Sequence, residues 1–96
     1  MKLISITPST KADKKLMAKF ETDTGRTRST HFGAKGMDDY TITHDKEQRE
    51  RYRTRHKKDL ESGDPTKAGF LSMWILWGDS TSREKNISAY KKRFNL

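Results

Sequence analysis

The sequence predicts an α+β fold, in which an N-terminal β-hairpin or small antiparallel sheet is followed by three α-helices. Apolar and polar residues alternate around Leu16, Ala18 and Phe20, a pattern typical of a half-buried strand. Further along, Phe70 and Trp74 belong to an apolar group with helical spacing. Because the strand patterns all precede the helical ones, the two kinds of element are expected to segregate in the fold.

The predicted strands lie in the first third of the chain. Residues 3–7 form a short β-like run that Pro8 closes, and residues 1–15 are expected to be an N-terminal strand or arm. Residues 16–32 are predicted to form a β-hairpin, with Gly25 available for a positive φ in its turn. We therefore expect this arm and one small α+β domain over residues 16–96.

A polar helix is predicted over residues 44–60. Before it, Tyr40 and Ile42 are two residues apart and would face the same side of an extended segment. Thr43 is the expected N-cap of the helix. The apolar stripe of this helix consists of Tyr52, His56 and Leu60. Such a narrow stripe predicts a helix that is largely exposed on the surface.

Two further helices are predicted in the C-terminal third. The first begins at the Asp-Pro step at residues 64–65, where the aspartate would be the N-cap. It is the most apolar segment, so we expect Trp74 in the core, whereas Trp77 at the helix end is expected to be partly exposed. The last helix follows a predicted capping box formed by Thr81 and Glu84.

Length and composition exclude several classes of protein. With 96 residues and 30% hydrophobic residues, any core is small. The chain has no cysteine, which excludes disulfides and thiolate zinc sites. No apolar run is long enough to span a membrane, and the N-terminal apolar patch is too short for a signal peptide. The net charge of +8 favours an anionic partner, although it is also compatible with a solvated surface.

A basic run at residues 49–58 is the main candidate for a binding site. On a helix its cations form two rows on either side of Tyr52 and His56. One row is Arg51, Arg55 and Lys58, and the other is Arg49, Arg53 and Lys57. If the last helix packs beside this one, the patch is extended by Lys91, Lys92 and Arg93. The run could contact phosphates, dock on the carboxylates of a partner protein or be a solvated face, and the sequence leaves all three open.

No catalytic residue and no metal site is predicted. The three histidines are His31, His44 and His56, and their spacing matches no compact zinc motif, so structural roles are expected. His31 is expected to bond into the loop at residues 33–36, which lacks the ending of a phosphate-binding P-loop. Asp38 and Asp39 point to different sides of an extended chain, so only one of them can reach a given ion.

Five strings are characteristic when taken in order. They are HFGAKGMDDYT (31–41), DKE (45–47), RHK (55–57), GFLSMWILW (69–77) and ISAYKKRF (87–94). Together, over about residues 16–96, they resemble a family of small basic proteins encoded by large double-stranded DNA viruses of algae and protists. The resemblance implies a viral origin and either of two roles, a minor capsid protein or a genome-associated basic protein. It carries over no catalytic residues.

We therefore expect a non-enzymatic virion structural protein, a minor capsid component that bridges or cements major capsid subunits through protein–protein contacts. The alternative is a basic nucleic-acid-binding protein associated with the viral genome. The expected partners are the major capsid protein or other minor capsid proteins, with DNA as the partner in the alternative. No cofactor, metal, membrane span or small-molecule substrate is expected. The expected location is the virion, after synthesis in the host cytoplasm.

Overall fold

A three-stranded antiparallel sheet followed by four helices confirms the predicted α+β class. The computed structural model describes residues 1–96. The strands, in the spatial order β1-β2-β3, are β1 (Lys2–Pro8), β2 (Lys14–Glu21) and β3 (Thr27–Ala34). The helices are α1 (Tyr40–Thr43), α2 (Lys46–Arg55), α3 (Ala68–Leu71) and α4 (Arg83–Arg93). A 3₁₀ turn at Lys57–Leu60 follows α2, and a π-helical turn at Ser72–Leu76 continues α3.

The predicted hairpin is formed by β2 and β3. Their antiparallel register places Leu16 opposite Phe32, and Gly25 in the connecting turn has a φ of +82°. β1 pairs with the other edge of β2, so residues 2–8 are part of the sheet rather than an arm that extends away from it. Leu3 of β1 is buried in the same core as the hairpin.

The core lies between one face of the sheet and the helical segment at residues 68–77. Leu16, Ala18 and Phe20 are buried on this face, as their alternation predicts. From the opposite side, Leu71 and Ile75 are fully buried against them. Removing this apolar surface from water is the main favourable contribution to folding, at about 25 cal/mol per Å².

Gly33 allows β3 to approach the π-helical turn closely. Its φ is +80°, a conformation that favours glycine because a side chain would clash with the backbone. A Cβ atom at this position would lie 2.7 Å from Cδ1 of Leu76. The lack of a side chain at Gly33 therefore sets the distance between the sheet and the helical layer.

The segment before α2 is helical, so the extended conformation predicted for Tyr40 and Ile42 is wrong. Asp39 is the N-cap of α1, and its carboxylate accepts a hydrogen bond from the amide of Thr41 at 2.9 Å. An oxygen in this position satisfies amide groups that the start of a helix leaves unpaired. This local hydrogen bonding outweighs the weak alternation on which the prediction depended.

The helix predicted over residues 44–60 is shorter in the structure. His44 adopts a left-handed conformation with a φ of 58°, which separates α1 from α2. The N-cap of α2 is consequently Asp45 rather than Thr43, and its carboxylate accepts hydrogen bonds from two amides of the first turn. α2 ends at Arg55, and the 3₁₀ turn takes the place of the last predicted turn.

Two other helix starts also differ from the prediction. Asp64 accepts a hydrogen bond from the amide of Thr66 at 2.9 Å and so closes a turn, whereas α3 begins only at Ala68. The N-cap of α4 is Ser82 rather than Thr81, which excludes the predicted capping box. In both places several neighbouring side chains can cap a helix, and the path of the backbone decides which of them does.

The two tryptophans have the reverse of their predicted exposures. Trp77 is only 6% exposed and belongs to the core, whereas Trp74 is half-buried. The cause is the π-helical turn, in which the amide of Trp77 bonds to the carbonyl of Ser72, five residues earlier. The extra residue in this turn rotates the end of the segment by about 100° relative to a regular α-helix.

Replacing Gly33 by alanine should lower the free energy of unfolding by about 3 kcal/mol, because a strained φ adds to the overlap with Leu76. Gly36→Ala is the matched control: Gly36 has a φ of +85°, but nothing lies within 4 Å of its Cβ position. This control should lose about 1 kcal/mol. Urea denaturation of both variants measures the difference, and equal losses would contradict close packing at Gly33.

Candidate functional site

A buried ion cluster forms where the sheet meets the helices. Asp39 is completely buried, and its Oδ2 atom lies 2.6 Å from Nζ of Lys15 and 3.3 Å from Nη2 of Arg83. Its Oδ1 atom accepts hydrogen bonds from the amide and the hydroxyl of Thr41. The carboxylate therefore connects β2, α1 and α4, which are distant in the sequence.

The surroundings of Asp39 keep its carboxylate ionised. Burial alone raises the pKa of this group, but the hydrogen bonds from Lys15 and Thr41 and the positive charges of Lys15 and Arg83 outweigh that effect. Its pKa is consequently lowered below the ordinary value of an aspartate. The cluster binds its own counter-ions completely, so it has a structural role and is not free to bind a ligand.

Two members of the second row of the basic run, Arg49 and Arg53, face inward. Nη1 of Arg53 donates hydrogen bonds to the carbonyl oxygens of Trp77 at 2.9 Å and Met73 at 3.2 Å. One turn earlier, Nε of Arg49 donates to the carbonyl of Gly78 at 2.7 Å. These carbonyls belong to the end of a helical segment, where the backbone leaves acceptors without partners. Arg49 and Arg53 thus fasten α2 to the π-helical turn.

The other cations of the run remain free. Arg51, Arg55, Lys57 and Lys58 are exposed and form no ion pair and no side-chain hydrogen bond. We call these four residues the free row. The six basic residues predicted on this helix thus divide into two that hold the fold together and four whose charge faces solvent.

The cations at the end of α4 lie apart from most of this row, because α4 packs against the π-helical turn. Lys91 and Lys92 are exposed and unpaired. Only Arg93 approaches the basic helix, since its guanidinium lies 4.1 Å from the ring centroid of Trp74 and that of Arg53 lies 5.1 Å from the same ring. Of the three α4 cations that were predicted to extend the basic patch, only Arg93 lies close to a residue of the basic helix.

The aromatic rings of the site are stacked on one another. Tyr52 lies between His56 and Trp77, with ring centroids 4.1 Å and 4.3 Å away, so both of its faces are covered. The predicted contact between His56 and Tyr52 is confirmed. Trp74 is covered by guanidinium groups, as described above. Neither Tyr52 nor Trp74 therefore offers the open ring face that base stacking requires.

An open groove of about 640 Å³ lies between the end of the hairpin and α2. Most of its lining residues are polar, and the apolar residues Phe32, Leu76 and Trp77 beneath it are almost completely buried. The lining carries both signs of charge, with Lys14 and Arg55 on one hand and Asp38 on the other having no ion-pair partner. A groove of this size lies within the usual range of ligand pockets.

The histidines do not form a metal site. His31 bonds to the hydroxyl of Ser9 at 2.7 Å, so the bond predicted to the loop at residues 33–36 is wrong. Nδ1 of His56 lies 3.2 Å from Oδ2 of Asp59. No group of three histidine or acidic side chains is arranged to hold a metal ion.

None of the helices is both long and apolar enough to cross a membrane.

The sequence does not predict the ion cluster: it indicates Asp39 only as a possible ligand for an ion, and nothing in it points to Lys15 or Arg83 as partners. The one local signal was the spacing of Asp39 and Thr41, since an aspartate two residues before a threonine often caps a turn. The partners of Asp39 lie far away in the sequence, and no periodicity connects them.

Residues 4–56 match the model of the family of unknown function DUF5754. The chain belongs to this family. The matched residues, more than half of the chain, include the hairpin, Asp39 and α2, whereas the carbonyl groups that bind Arg53 and the side chain of Arg83 lie beyond them. No curated protein and no solved structure matches the chain.

Asp39→Asn should lower the free energy of unfolding by about 3 kcal/mol at neutral pH, because it removes the counter-ion of Lys15 and Arg83 but keeps an oxygen that can cap α1. The wild-type advantage should shrink progressively as the pH falls below about 4, since the lowered pKa of Asp39 stabilises the fold only while the carboxylate is ionised. Urea unfolding between pH 3 and about pH 7 measures this. Asp38→Asn, at an exposed and unpaired neighbour, should show no such pH dependence.

Arg53→Ala should lower the free energy of unfolding by about 2 kcal/mol, because two carbonyl groups lose a charged donor. Arg51→Ala is the matched control on the same helix and should change it by less than about 0.5 kcal/mol, since Arg51 is exposed and unpaired. Thermal and urea unfolding of the two variants test the division of the basic run. Similar losses in both variants would contradict it.

Proposed function

We propose that this protein is a non-catalytic adaptor that docks on an acidic protein surface through the free row. The observation that carries the proposal is the division of the basic run, which leaves Arg51, Arg55, Lys57 and Lys58 unpaired on the surface. Arg55 also lines the open groove, together with the exposed side chain of Met37. Arginine forks and lysine charges pair readily with carboxylates. A site of this composition resembles a protein interface, with a small apolar area and a charged rim.

Docking on protein is favoured over binding to single-stranded nucleic acid by the state of the aromatic rings. Sequence-independent binders of single strands combine cations with open aromatic faces. Here the faces of Tyr52 are covered by His56 and Trp77, and Trp74 is covered by two guanidinium groups. The side chains that remain accessible are the cations of the free row and Met37 of the groove, which suit a protein surface.

The setting proposed for this adaptor is a virion. The resemblance to proteins of large double-stranded DNA viruses supports this setting, and the partner would then be the major capsid protein or another minor capsid protein. A shell built from many copies of one subunit needs small proteins that bridge neighbours. Positive charge on such a bridge would complement acidic edges of the subunits and set its orientation.

A genome-associated protein is the second candidate. The observation in its favour is the net charge of +8, to which unpaired cations at Lys91 and Lys92 contribute as well as the free row. A protein that neutralises several phosphates binds nucleic acid with an affinity that falls steeply as salt rises. This dependence on salt separates the two candidates.

The test is quantitative mass spectrometry on purified particles of a virus that encodes the protein, separated into outer shell and genome-containing core at two salt concentrations. The adaptor should remain with the shell at both concentrations, because an interface with an apolar part is less sensitive to salt than phosphate contacts. Recovery in the core fraction, with loss at the higher salt concentration, would contradict the proposal and support the genome-associated candidate.

A charge-reversal variant tests whether the free row is the surface that docks on the shell. Incorporation of R51E/K57E/K58E into the shell should fall by roughly tenfold or more, because three attractive contacts become repulsive. The matched control K19E/K67E/K85E reverses the same number of exposed, unpaired charges elsewhere and should be incorporated normally. Circular dichroism verifies that both variants fold, and equal losses from the shell would show that only total charge matters.

A further inference from the structure

We propose that the small cavity between Trp74 and α4 binds one carboxylate group, which accepts hydrogen bonds from the indole of Trp74 and the guanidinium of Arg93. The cavity has a volume of about 80 Å³ and is lined by Trp74, Asp79, Asn86, Ala89, Tyr90 and Arg93. This volume is enough for a carboxylate group or about two water molecules, but not for a peptide or a nucleotide. No residue of the free row lines it, so the site goes beyond the proposed docking surface.

The indole N–H of Trp74 has no acceptor in the protein. Its Nε1 atom is the one buried side-chain nitrogen or oxygen atom without a hydrogen-bond partner. A buried donor that stays unpaired destabilises the fold, and native structures almost always provide a partner for it. Because Trp74 borders the cavity, an acceptor bound there can supply the missing hydrogen bond.

The guanidinium of Arg93 is the second group without a partner. It lies 4.1 Å from the ring centroid of Trp74, lines the same cavity and forms no ion pair. A guanidinium this close to an aromatic ring contacts it with its planar face, so the N–H groups at its edge stay free for an acceptor. One buried donor and one charged donor thus border the same cavity.

The charges around the cavity leave one positive charge in excess. Asp79 lines the cavity, but its Oδ1 atom lies 2.7 Å from Nη2 of Arg49, which also pairs with Glu50 at 2.7 Å. The pKa of Arg53 is lowered, chiefly by burial and further by the positive charges of Arg49 and Arg93, and the two carboxylates only partly oppose this shift. Three guanidinium groups thus face two carboxylates, and one more negative charge would neutralise the cluster.

A carboxylate fits the two unpartnered groups better than water or phosphate does. Water would accept from Nε1 of Trp74 but would add no negative charge. A phosphate monoester or inorganic phosphate carries close to two negative charges at neutral pH, which exceeds the single excess charge and would be repelled by Asp79. A carboxylate has one charge and two oxygens, so one oxygen can accept from Trp74 and the other from Arg93. The group can come from a small free carboxylate or from an acidic side chain of the partner protein.

The test is an NMR titration of the ¹⁵N-labelled full chain, in which sodium acetate replaces sodium chloride at constant ionic strength and neutral pH. The indole signal of Trp74 should shift in a saturable way in the millimolar range, whereas that of Trp77, which lies outside the cavity, should not. The variant W74F lacks one of the two indole signals and so assigns them. Absence of a saturable shift would leave only water in the cavity and overturn the proposal, and so would tighter binding of phosphate than of acetate.

Variants at the end of α4 locate the charge recognition. Arg93→Gln should weaken acetate binding by about tenfold, because the acceptor loses its charged donor. Lys92→Gln is the matched control, since it removes the same charge from an exposed neighbour outside the cavity, and it should change the affinity by less than about twofold. Circular dichroism verifies that both variants fold. An equal loss in both would reduce the effect to overall charge and overturn the proposal.

Incorporation into the shell tells the two sources of the carboxylate apart. If an acidic side chain of the partner is the ligand, R93Q should be incorporated several-fold less than K92Q. Equal incorporation, with acetate binding as expected, assigns the site to a free carboxylate. If acetate does not bind while R51E/K57E/K58E is still lost from the shell, the carboxylate site is wrong and the adaptor function stands.

Discussion

The buried carboxylate of Asp39 is the interaction on which the arrangement of the other elements depends. It lies where the hairpin ends and the helices begin, and it is bound at once by Lys15 of β2, by the start of α1 and by Arg83 of α4. A buried charge that loses its partner costs several kcal/mol, so these elements cannot shift independently without exposing the carboxylate or protonating it. The positions of the sheet, α1 and α4 relative to one another are therefore fixed by Asp39.

α2 is attached to this framework by polar contacts, which is unusual for a surface helix. None of its residues is buried, and Tyr52 is its one apolar side chain that packs against the core. Instead, Arg49 and Arg53 donate hydrogen bonds to the carbonyl groups at the end of the π-helical turn, and Tyr52 stacks on Trp77. Since the cations that hold the helix occupy one side, the remaining cations necessarily face solvent, where they are available to a partner.

The division of the basic run into arginines that bind backbone carbonyls and cations that face solvent also determines which groups the proposed binding surface contains. Groups that often bind nucleic acid, namely arginines and aromatic rings, are partly used inside the molecule. The accessible remainder is the free row and an open groove that carries both signs of charge. In the proposed adaptor function, the free row would pair with carboxylates of a partner protein.

The sequence by itself determined the α+β class, the hairpin and the buried face of β2, because alternation, helical spacing and a turn glycine are local properties of the chain. It also located the basic run. Only the tertiary structure decided which of several oxygens caps each helix, which tryptophan is buried and which arginines are free. Periodicity shows which side chains share a face, but the use of that face depends on partners far along the chain, as for Asp39 with Arg83 and Arg53 with Trp77.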